Sequence, residues 1–232
     1  MLSIYKSLAV SISIFFTYCN TPSKTYLEKY LPKSSLKGVW VTNVGSDALK
    51  SEANIKDLVY NCKKHQINHL FVVVWNKGLT QYPSDVLKKH IGIKQEQIFS
   101  HFDPLEFLIE VAHRQGIKVH AWFEFGFSFA YNDPKSPWIE KYPDWLGRDS
   151  EGEILKKNNF MWWNALHPGP QKFLLELIEE VVTKYDVDGI QGDDRLPAMP
   201  SEGGYDPYTL SLFQNVFSKS PPSNHKEENW IS

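Results

Sequence analysis

The feature that most constrains the fold is a short apolar strand, preceded by an amphipathic helix and followed by two adjacent acids. Apolar residues at helical spacing predict a helix over residues 170–185, and the run 187–193 predicts a buried strand. Asp193 and Asp194 fall at the carboxyl end of that strand. In barrels of alternating strands and helices, polar residues at this end are usually catalytic. The alternative is that the two acids only cap the next turn, where Asp is common.

The same strand–helix alternation occurs four times along the chain. Strands are predicted at residues 37–43, 68–76, 118–125 and 187–193, and helices begin near residues 51–54, 103, 170 and 206. This alternation predicts a parallel sheet with right-handed crossovers. A closed barrel of eight units typically takes about 250 residues. We therefore expect an α/β fold that corresponds to the amino-terminal half of a (β/α)8 TIM barrel. Either the chain is a half-barrel or it comes from a truncated reading frame.

Three long connections all leave the carboxyl ends of the predicted strands. They are residues 77–102, 126–169 and 195–206. Long loops on one face with short returns on the other are typical of a rim that builds a binding site.

The first residues resemble a targeting segment. Lys6 precedes an apolar run over residues 8–16, which is too short to span a bilayer. Cys19 stands where a lipoprotein signal places its modified cysteine, although Tyr18 occupies a position that usually holds a small residue. Lipidation, ordinary secretion and an uncleaved anchor all stay open. We assign residues 1–19 to the signal, 20–35 to a tether and 36–232 to the incomplete barrel domain, and expect export to the cell envelope.

Composition and motifs exclude several classes of function. The formal net charge of −2 gives no basic field for nucleic acid or for an anionic membrane surface, so a lipid on Cys19 would be the membrane contact. Metal-ligand spacing, a glycine-rich phosphate loop and a serine nucleophile elbow are not found. The sequence therefore predicts neither a metal nor a cofactor.

Strand phase decides which polar side chains face the barrel interior. On the third strand the helices need the apolar alternate residues, which turns His120, Trp122 and Glu124 inward or upward. On the fourth strand Ile190 suits the helix side, which turns Asp193 inward. Glu124 and Asp193 should then face one cavity. Two carboxylates are what glycoside hydrolysis needs, one to protonate the leaving oxygen and one to attack or to activate water.

Each of these assignments has a structural alternative. Glu124 could pair with Arg195 or Lys118, His120 could be a hydrogen-bonded core histidine, and Asp194 could orient or cap rather than react. Other polar and aromatic side chains on the same rim could bind substrate hydroxyls or stack on sugar rings. With Asp193 and Glu124 as catalytic residues, the substrate-binding candidates are Asn43, Trp75, Asn76, His120, Trp122, Asn164 and Asp194.

Seven short segments together resemble the bacterial glycosyl-hydrolase-like family 10, a group of lipoproteins with a TIM-barrel hydrolase domain. The segments are residues 37–43, 82–84, 120–126, 142–146, 164–168, 185–190 together with 193–194, and 200–207. Each is weak alone, but the combination is specific and covers residues 37–230. The chain departs from the family pattern at Gly192, where an aromatic usually precedes the two acids, and at Ala165, where the family usually has Pro.

The resemblance implies a hydrolase of a cell-envelope polysaccharide, with peptidoglycan glycan strands as a candidate substrate. The fourth strand also looks like that of α-amylase-type barrels, whose nucleophile occupies the position of Asp193 and whose acid comes from a fifth strand. The alternative is a non-catalytic glycan-binding protein, or an inactive truncated remnant of such a hydrolase. An incomplete barrel would also expose a sheet edge, which predicts self-association.

Overall fold

The computed structural model of the protein describes residues 35–192, 196, 199–224 and 226. Two 3-10 turns, at Gln97–Phe99 and Pro143–Trp145, lie among the regular elements. The strands and helices, in chain order, are β1 (Gly38–Val41), α1 (Glu52–Lys64), β2 (His69–Asn76), β3 (Leu79–Thr80), α2 (Asp85–Ile91), α3 (Pro104–Arg114), β4 (Lys118–Phe123), β5 (Ser128–Tyr131), α4 (Pro137–Lys141), β6 (Lys156–Lys157), β7 (Phe160–Trp162), α5 (Pro168–Lys184), β8 (Gly189–Gly192) and α6 (Pro207–Phe217).

The central sheet has the strand order β1-β2-β4-β8, and all three neighbouring pairs are parallel. These are the four strands that the sequence predicts. Parallel pairing of β1 with β2 confirms the α/β fold class, because antiparallel pairing would have contradicted it. The sheet corresponds to part of a TIM barrel.

The helices begin at the residues whose side chains can cap them. The Ser51 side chain accepts from the backbone N–H of Asn54 at the start of α1, and Asp103 and Asp206 cap α3 and α6 in the same way. A proline occupies the first turn of both α3 and α6, where its missing N–H costs nothing. Helix α5 begins two residues earlier than predicted, with His167 as its cap.

The two faces of the sheet divide as the apolar pattern predicts. Val119, Ala121 and Phe123 of β4 are completely buried on the helix side. His120 and Trp122 alternate with them and are half-buried on the inner face. On this inner face the rings of Trp40 and Phe71 stack at 4.9 Å, and Trp40 is 56% exposed.

A β-bulge in β2 changes its phase near the carboxyl end. Val73 pairs with Trp122, but Trp75 pairs with Phe123, so Val74 is the extra residue. A bulge of one residue moves the following side chains to the opposite face. Trp75 therefore lies on the helix side with Phe123, and Asn76 follows on the inner side.

Two of the three long connections contain regular structure that the sequence pattern did not predict. Residues 77–102 fold into β3, α2 and a 3-10 turn, and residues 126–169 form a small antiparallel sheet of order β5-β7-β6. Rings from the second connection join Trp75 and Phe173 in a buried aromatic core, where Trp138 and Trp163 meet at 4.8 Å. Within the described residues, no helix is long and apolar enough to cross a membrane.

Candidate active site

Polar side chains meet at the carboxyl ends of three neighbouring strands. Asn43 follows β1, Asn76 ends β2 and Glu124 follows β4. Two further residues, Gln81 and Glu96, reach this rim from the connection after β2. We call these five residues the rim cluster.

The rim cluster is joined by hydrogen bonds that run from side-chain amides towards two carboxylates, Glu124 and Glu96. Asn76 Nδ2 donates to Glu124 Oε2 at 2.7 Å and to Asn43 Oδ1 at 3.0 Å. Asn43 Nδ2 in turn donates to Glu96 Oε2 at 2.9 Å. Gln81 Nε2 donates to the same Glu96 oxygen at 3.2 Å. The row of hydrogen bonds therefore has an accepting carboxylate at each end, and the amides between the two carboxylates have defined orientations.

Asn76 is held at the rim by a tight hairpin. It is 1% exposed, and the next two residues, Lys77 (φ 54°) and Gly78 (φ 79°), both have positive φ. Two successive positive φ values form the type I′ turn that matches the twist of antiparallel strands. A side chain at Gly78 would lie 2.0 Å from the carbonyl oxygen of Phe129, so only glycine fits. This hairpin brings β3 back beside β2.

The same hairpin positions Gln81 and Glu96. Gln81 follows β3 directly, and its backbone N–H donates to the Val74 carbonyl at 3.2 Å. The backbone N–H of Glu96 donates to the Thr80 carbonyl at 2.8 Å, just before the 3-10 turn that buries Phe99. Sequence reasoning missed both residues, because they come together only after the connection folds.

Glu124 lies at a strained turn. The residues that follow it, Phe125 (φ 60°) and Gly126 (φ 36°), are both left-handed, which is unusual for a bulky phenylalanine. The Phe125 ring stacks on Phe160 at 4.0 Å, and Gly126 accepts a hydrogen bond from Trp75 Nε1 at 2.9 Å. A side chain at Gly126 would contact the backbone of Leu196, within 2.5 Å. Strained backbone of this kind is often found at functional sites.

His120 and Trp122 lie on the inner face, below the rim. His120 Nε2 is 2.7 Å from Nδ1 of His69, and the two rings stack. Burial and the neighbouring His69 hold the pKa of His120 below its usual value. Four residues along a strand are about 13 Å, so His120 is distant from Glu124. Trp122 is closer to the rim, and its buried Nε1 has no partner among the described residues.

Trp75 and Asn164 need correcting as substrate-binding candidates. The bulge turns Trp75 into the aromatic core, where it is 0% exposed and no ring face is open to a sugar. Asn164 is also 0% exposed. Its Nδ2 donates to Asp206 Oδ1 and Thr209 Oγ1, each at 2.9 Å, so its amide ties the connection to the start of α6.

Asp193 and Asp194 lie outside the described residues, and so does Arg195. Residues up to Gly192 are in the predicted phase: Gln191 pairs with Trp122 and accepts from Trp40 Nε1 at 2.9 Å on the inner face. The prediction that Asp193 faces the substrate stays a prediction. Across the part of the chain that the structure describes, no three His, Cys, Asp or Glu side chains are placed to hold a metal ion.

The sheet and its rim can be compared with known proteins. The family model described as Glycosyl hydrolase-like 10 matches residues 35–232. The chain belongs to this family. It is similar to a protein named Glycosyl hydrolase DigH from Escherichia coli K12, with 26% identity over 180 residues, covering 68% of this chain and 38% of that protein. It is also similar to Glycosyl hydrolase YngK from Bacillus subtilis, with 27% identity over 127 residues, covering 50% of this chain and 23% of that protein.

Among solved structures, the chain resembles α-L-fucosidase isoenzyme 2 from Paenibacillus thiaminolyticus. The TM-score is 0.57 with 22% identity, over 85% of this chain and 28% of that one. This likeness supports the barrel fold. The chain spans less than two fifths of the length of both curated relatives, which are the glycosyl hydrolases named above.

Proposed function

We propose that the protein hydrolyses glycosidic bonds of a cell-envelope polysaccharide, with peptidoglycan glycan strands as the leading substrate. The observation that carries this proposal is the rim cluster, where Glu124 is held at a strand end by Asn76 in a chain of the Glycosyl hydrolase-like 10 family. The choice of polysaccharide rests on the family resemblance alone.

The proposed chemistry assigns roles to three residues of the rim cluster and to the two acids that follow β8 in the sequence. Glycoside hydrolysis uses two carboxylates that flank the scissile bond. Asp193 acts as nucleophile or as stabiliser of the transition state, and Glu124 acts as the acid or binds substrate. Asp194 orients. Asn76 holds Glu124 and is itself bonded to Asn43. Asn43 and Asn76 also bind hydroxyls of the sugar, since amides can both donate and accept.

Two unpaired atoms near the rim favour a polar ligand. Asn76 Oδ1 and Gln81 Oε1 are buried and have no hydrogen-bond partner among the described residues. Leaving a buried polar atom unpaired costs roughly 1–3 kcal/mol. A buried water molecule, or a hydroxyl or N–H group of a ligand that reaches the rim, would satisfy such acceptors.

The direct test is release of reducing ends from purified glycan strands by the wild-type protein and by Glu124→Gln. Glu153→Gln is the matched control, because Glu153 is an exposed glutamate that is not part of the rim cluster. We expect wild type and control to release reducing ends and Glu124→Gln to lose most of the rate. Equal rates for all three proteins would contradict the role of Glu124.

The second candidate function is glycan binding without hydrolysis. It is favoured by the ring of Trp40 on the inner face, which is 56% exposed, because an aromatic face can stack on a sugar ring without any catalytic group. Binding of glycan strands with no release of reducing ends would support this candidate over hydrolysis.

Export and attachment also belong to the proposal. The apolar run before Cys19 supports a signal, and lipidation of Cys19 is the form of attachment that we favour. Labelling cells with a fatty acid tests it: wild type should incorporate the label and Cys19→Ala should not. Equal incorporation by both proteins, or none by either, would contradict lipidation of Cys19.

Self-association is the last part of the proposal. Trp40 is exposed on the inner face of the sheet, and exposed apolar surface of this kind favours contact between two copies of the protein. Sedimentation of wild type and Trp40→Ser tests this. A monomer at all concentrations would contradict it.

A further inference from the structure

We infer that Glu96 is a positioning residue, which fixes the direction of the amides that hold Glu124. The inference rests on the proposed function and adds a residue that sequence reasoning did not find. Glu96 does not touch Glu124; it acts through Asn43 and Asn76.

The direction of the hydrogen bonds from Glu96 to Glu124 follows from counting donors and acceptors. An asparagine amide has an NH2 side that only donates and an oxygen that only accepts. The Glu96 carboxylate can only accept, so it selects the NH2 side of Asn43. The oxygen of Asn43 then points at Asn76 and selects the NH2 side of that residue. Because Asn76 has two N–H groups, the second one is left to donate to Glu124 at 2.7 Å.

The reverse arrangement is excluded as long as Glu96 is present. Rotating the Asn43 amide by half a turn would place its oxygen against the Glu96 carboxylate and its NH2 against the NH2 of Asn76. Two acceptors would then meet at one contact and two donors at the other. Asn76 is 1% exposed, so little water can compensate for the mismatch at its contact with Asn43.

Glu96 is itself held firmly enough to set this direction. Gln81, which is 2% exposed, donates to the same Oε2 atom that Asn43 uses. The Glu96 backbone is fixed by its hydrogen bond to Thr80. The hairpin after β2 thus supplies both the carboxylate and the side chain that steadies it.

The experiment compares Glu96→Ala and Glu96→Gln with the exposed control Glu153→Ala in the full chain. The first readout is the side-chain NH2 signals of Asn76 in 15N–1H spectra, assigned by their loss in Asn76→Asp. The second readout is kcat and KM for release of reducing ends from glycan strands.

A positioning role predicts one pattern across these variants. Glu96→Ala should shift the Asn76 NH2 signals and lower kcat by up to about 100-fold with little change in KM, since misplacing a reacting group costs rate. Glu96→Gln keeps an oxygen that can accept from Asn43 and Gln81, so it should retain most of the rate. The control should match wild type. Unshifted Asn76 signals in Glu96→Ala would overturn the inference.

The two readouts separate this inference from the proposed function. If wild type releases no reducing ends but Glu96→Ala shifts the Asn76 signals, the positioning role stands and the hydrolase proposal fails. If wild type is active and the signals do not move, the positioning role fails alone. Should Glu96→Ala not fold, Asn43→Ala breaks the next link of the chain and must shift the same signals; unchanged signals there would also overturn the inference.

Discussion

Asn76 and Glu124 lie at the ends of neighbouring strands and are joined by a 2.7 Å hydrogen bond from Nδ2 to Oε2. The bond exists because a bulge at Val74 turns Asn76 to the inner face. An apolar strand thus ends in a buried amide directed at a carboxylate.

Replacing Asn76 by Asp tests this contact. The new carboxylate would face Glu124 and the Asn43 oxygen, so acceptors would meet in a buried site. We expect Asn76→Asp to lower the free energy of unfolding by roughly 2–4 kcal/mol at pH 7. Burial and the like charge raise the pKa of the introduced acid in the folded state, so the loss should be smaller at pH 5. Urea unfolding at both values measures it. Asn159→Asp, at an exposed site, is the control, and an equal loss in both variants would refute the contact.

A methyl group at Gly78 should damage the rim more than one at Gly92. Both glycines have positive φ, which costs alanine about 1 kcal/mol. Gly92 has open space around it, whereas a Cβ at Gly78 would lie 2.0 Å from the Phe129 carbonyl oxygen. Thermal unfolding of the two variants gives the comparison. Equal stability would mean that the hairpin does not pack against β5 as described.

Glu180 should stabilise the fold although it is an acid 7% exposed to solvent. It accepts from Ser84 Oγ, from Tyr82 and from the backbone N–H of Asp85, and Lys184 donates to it at 2.8 Å. Removing these bonds in Glu180→Ala should cost roughly 3 kcal/mol. The exposed neighbour Glu179→Ala should cost little, and a similar cost for both would contradict this account.

The pH dependence of that contribution follows from the pKa of Glu180. Burial alone would raise the pKa, but the bonds from Lys184, Ser84 and the backbone of Asp85 and Val86 outweigh it and lower the pKa. The contribution should therefore be complete above the ordinary glutamate pKa of about 4.3 and be lost as pH falls through the lowered value. The free energies of unfolding of wild type and Glu180→Ala, measured by denaturation at a series of pH values, should therefore become equal in acid.

The pair His69 and His120 predicts a second pH effect. Burial, then the charge of His69 and that of Lys118, lower the pKa of His120, while Asp188 opposes them. Stability from neutral His120 is present above its ordinary pKa of about 6.5 and is lost as pH falls through the lowered value. Between pH 7.5 and 5.5, wild type should lose more stability than His120→Gln. An identical slope in both, with exposed His101→Gln as control, would contradict the prediction.

Much of the fold could be predicted from the sequence because apolar runs and caps are local signals. Ser51, Asp103 and Asp206 cap helices at the expected places, and the four parallel strands lie where the apolar pattern predicts them. Helix α2 carries similar local signals, from which it could have been predicted. Ser84 caps its start, and Gly92, with a left-handed backbone, ends it.

The site was harder to predict, for physical reasons that particular residues illustrate. Asn43, Asn76 and Glu124 come together as residues at strand ends should. Trp75 was misassigned because a one-residue bulge, which no local pattern reveals, changes its face. The sequence pattern did not indicate Glu96 and Gln81, because their contact depends on how a connection of 26 residues, 77–102, folds back on β2.

The central proposal is that Asp193 and Glu124 cleave glycans together, and the sharpest test compares Asp193→Asn with Asp194→Asn. Both changes are nearly isosteric, so each should leave the fold intact. Strand alternation from Ile190 predicts that Asp193 faces the substrate, and losing a catalytic carboxylate costs several orders of magnitude in rate.

The measurement is turnover of purified glycan strands by both variants, in the chain itself and in a chimera in which the chain replaces the matching segment of Escherichia coli DigH. We predict that Asp193→Asn is nearly inactive and that Asp194→Asn retains a larger share of the wild-type rate. Near-normal turnover by Asp193→Asn together with an inactive Asp194→Asn would contradict the strand phase on which the account rests.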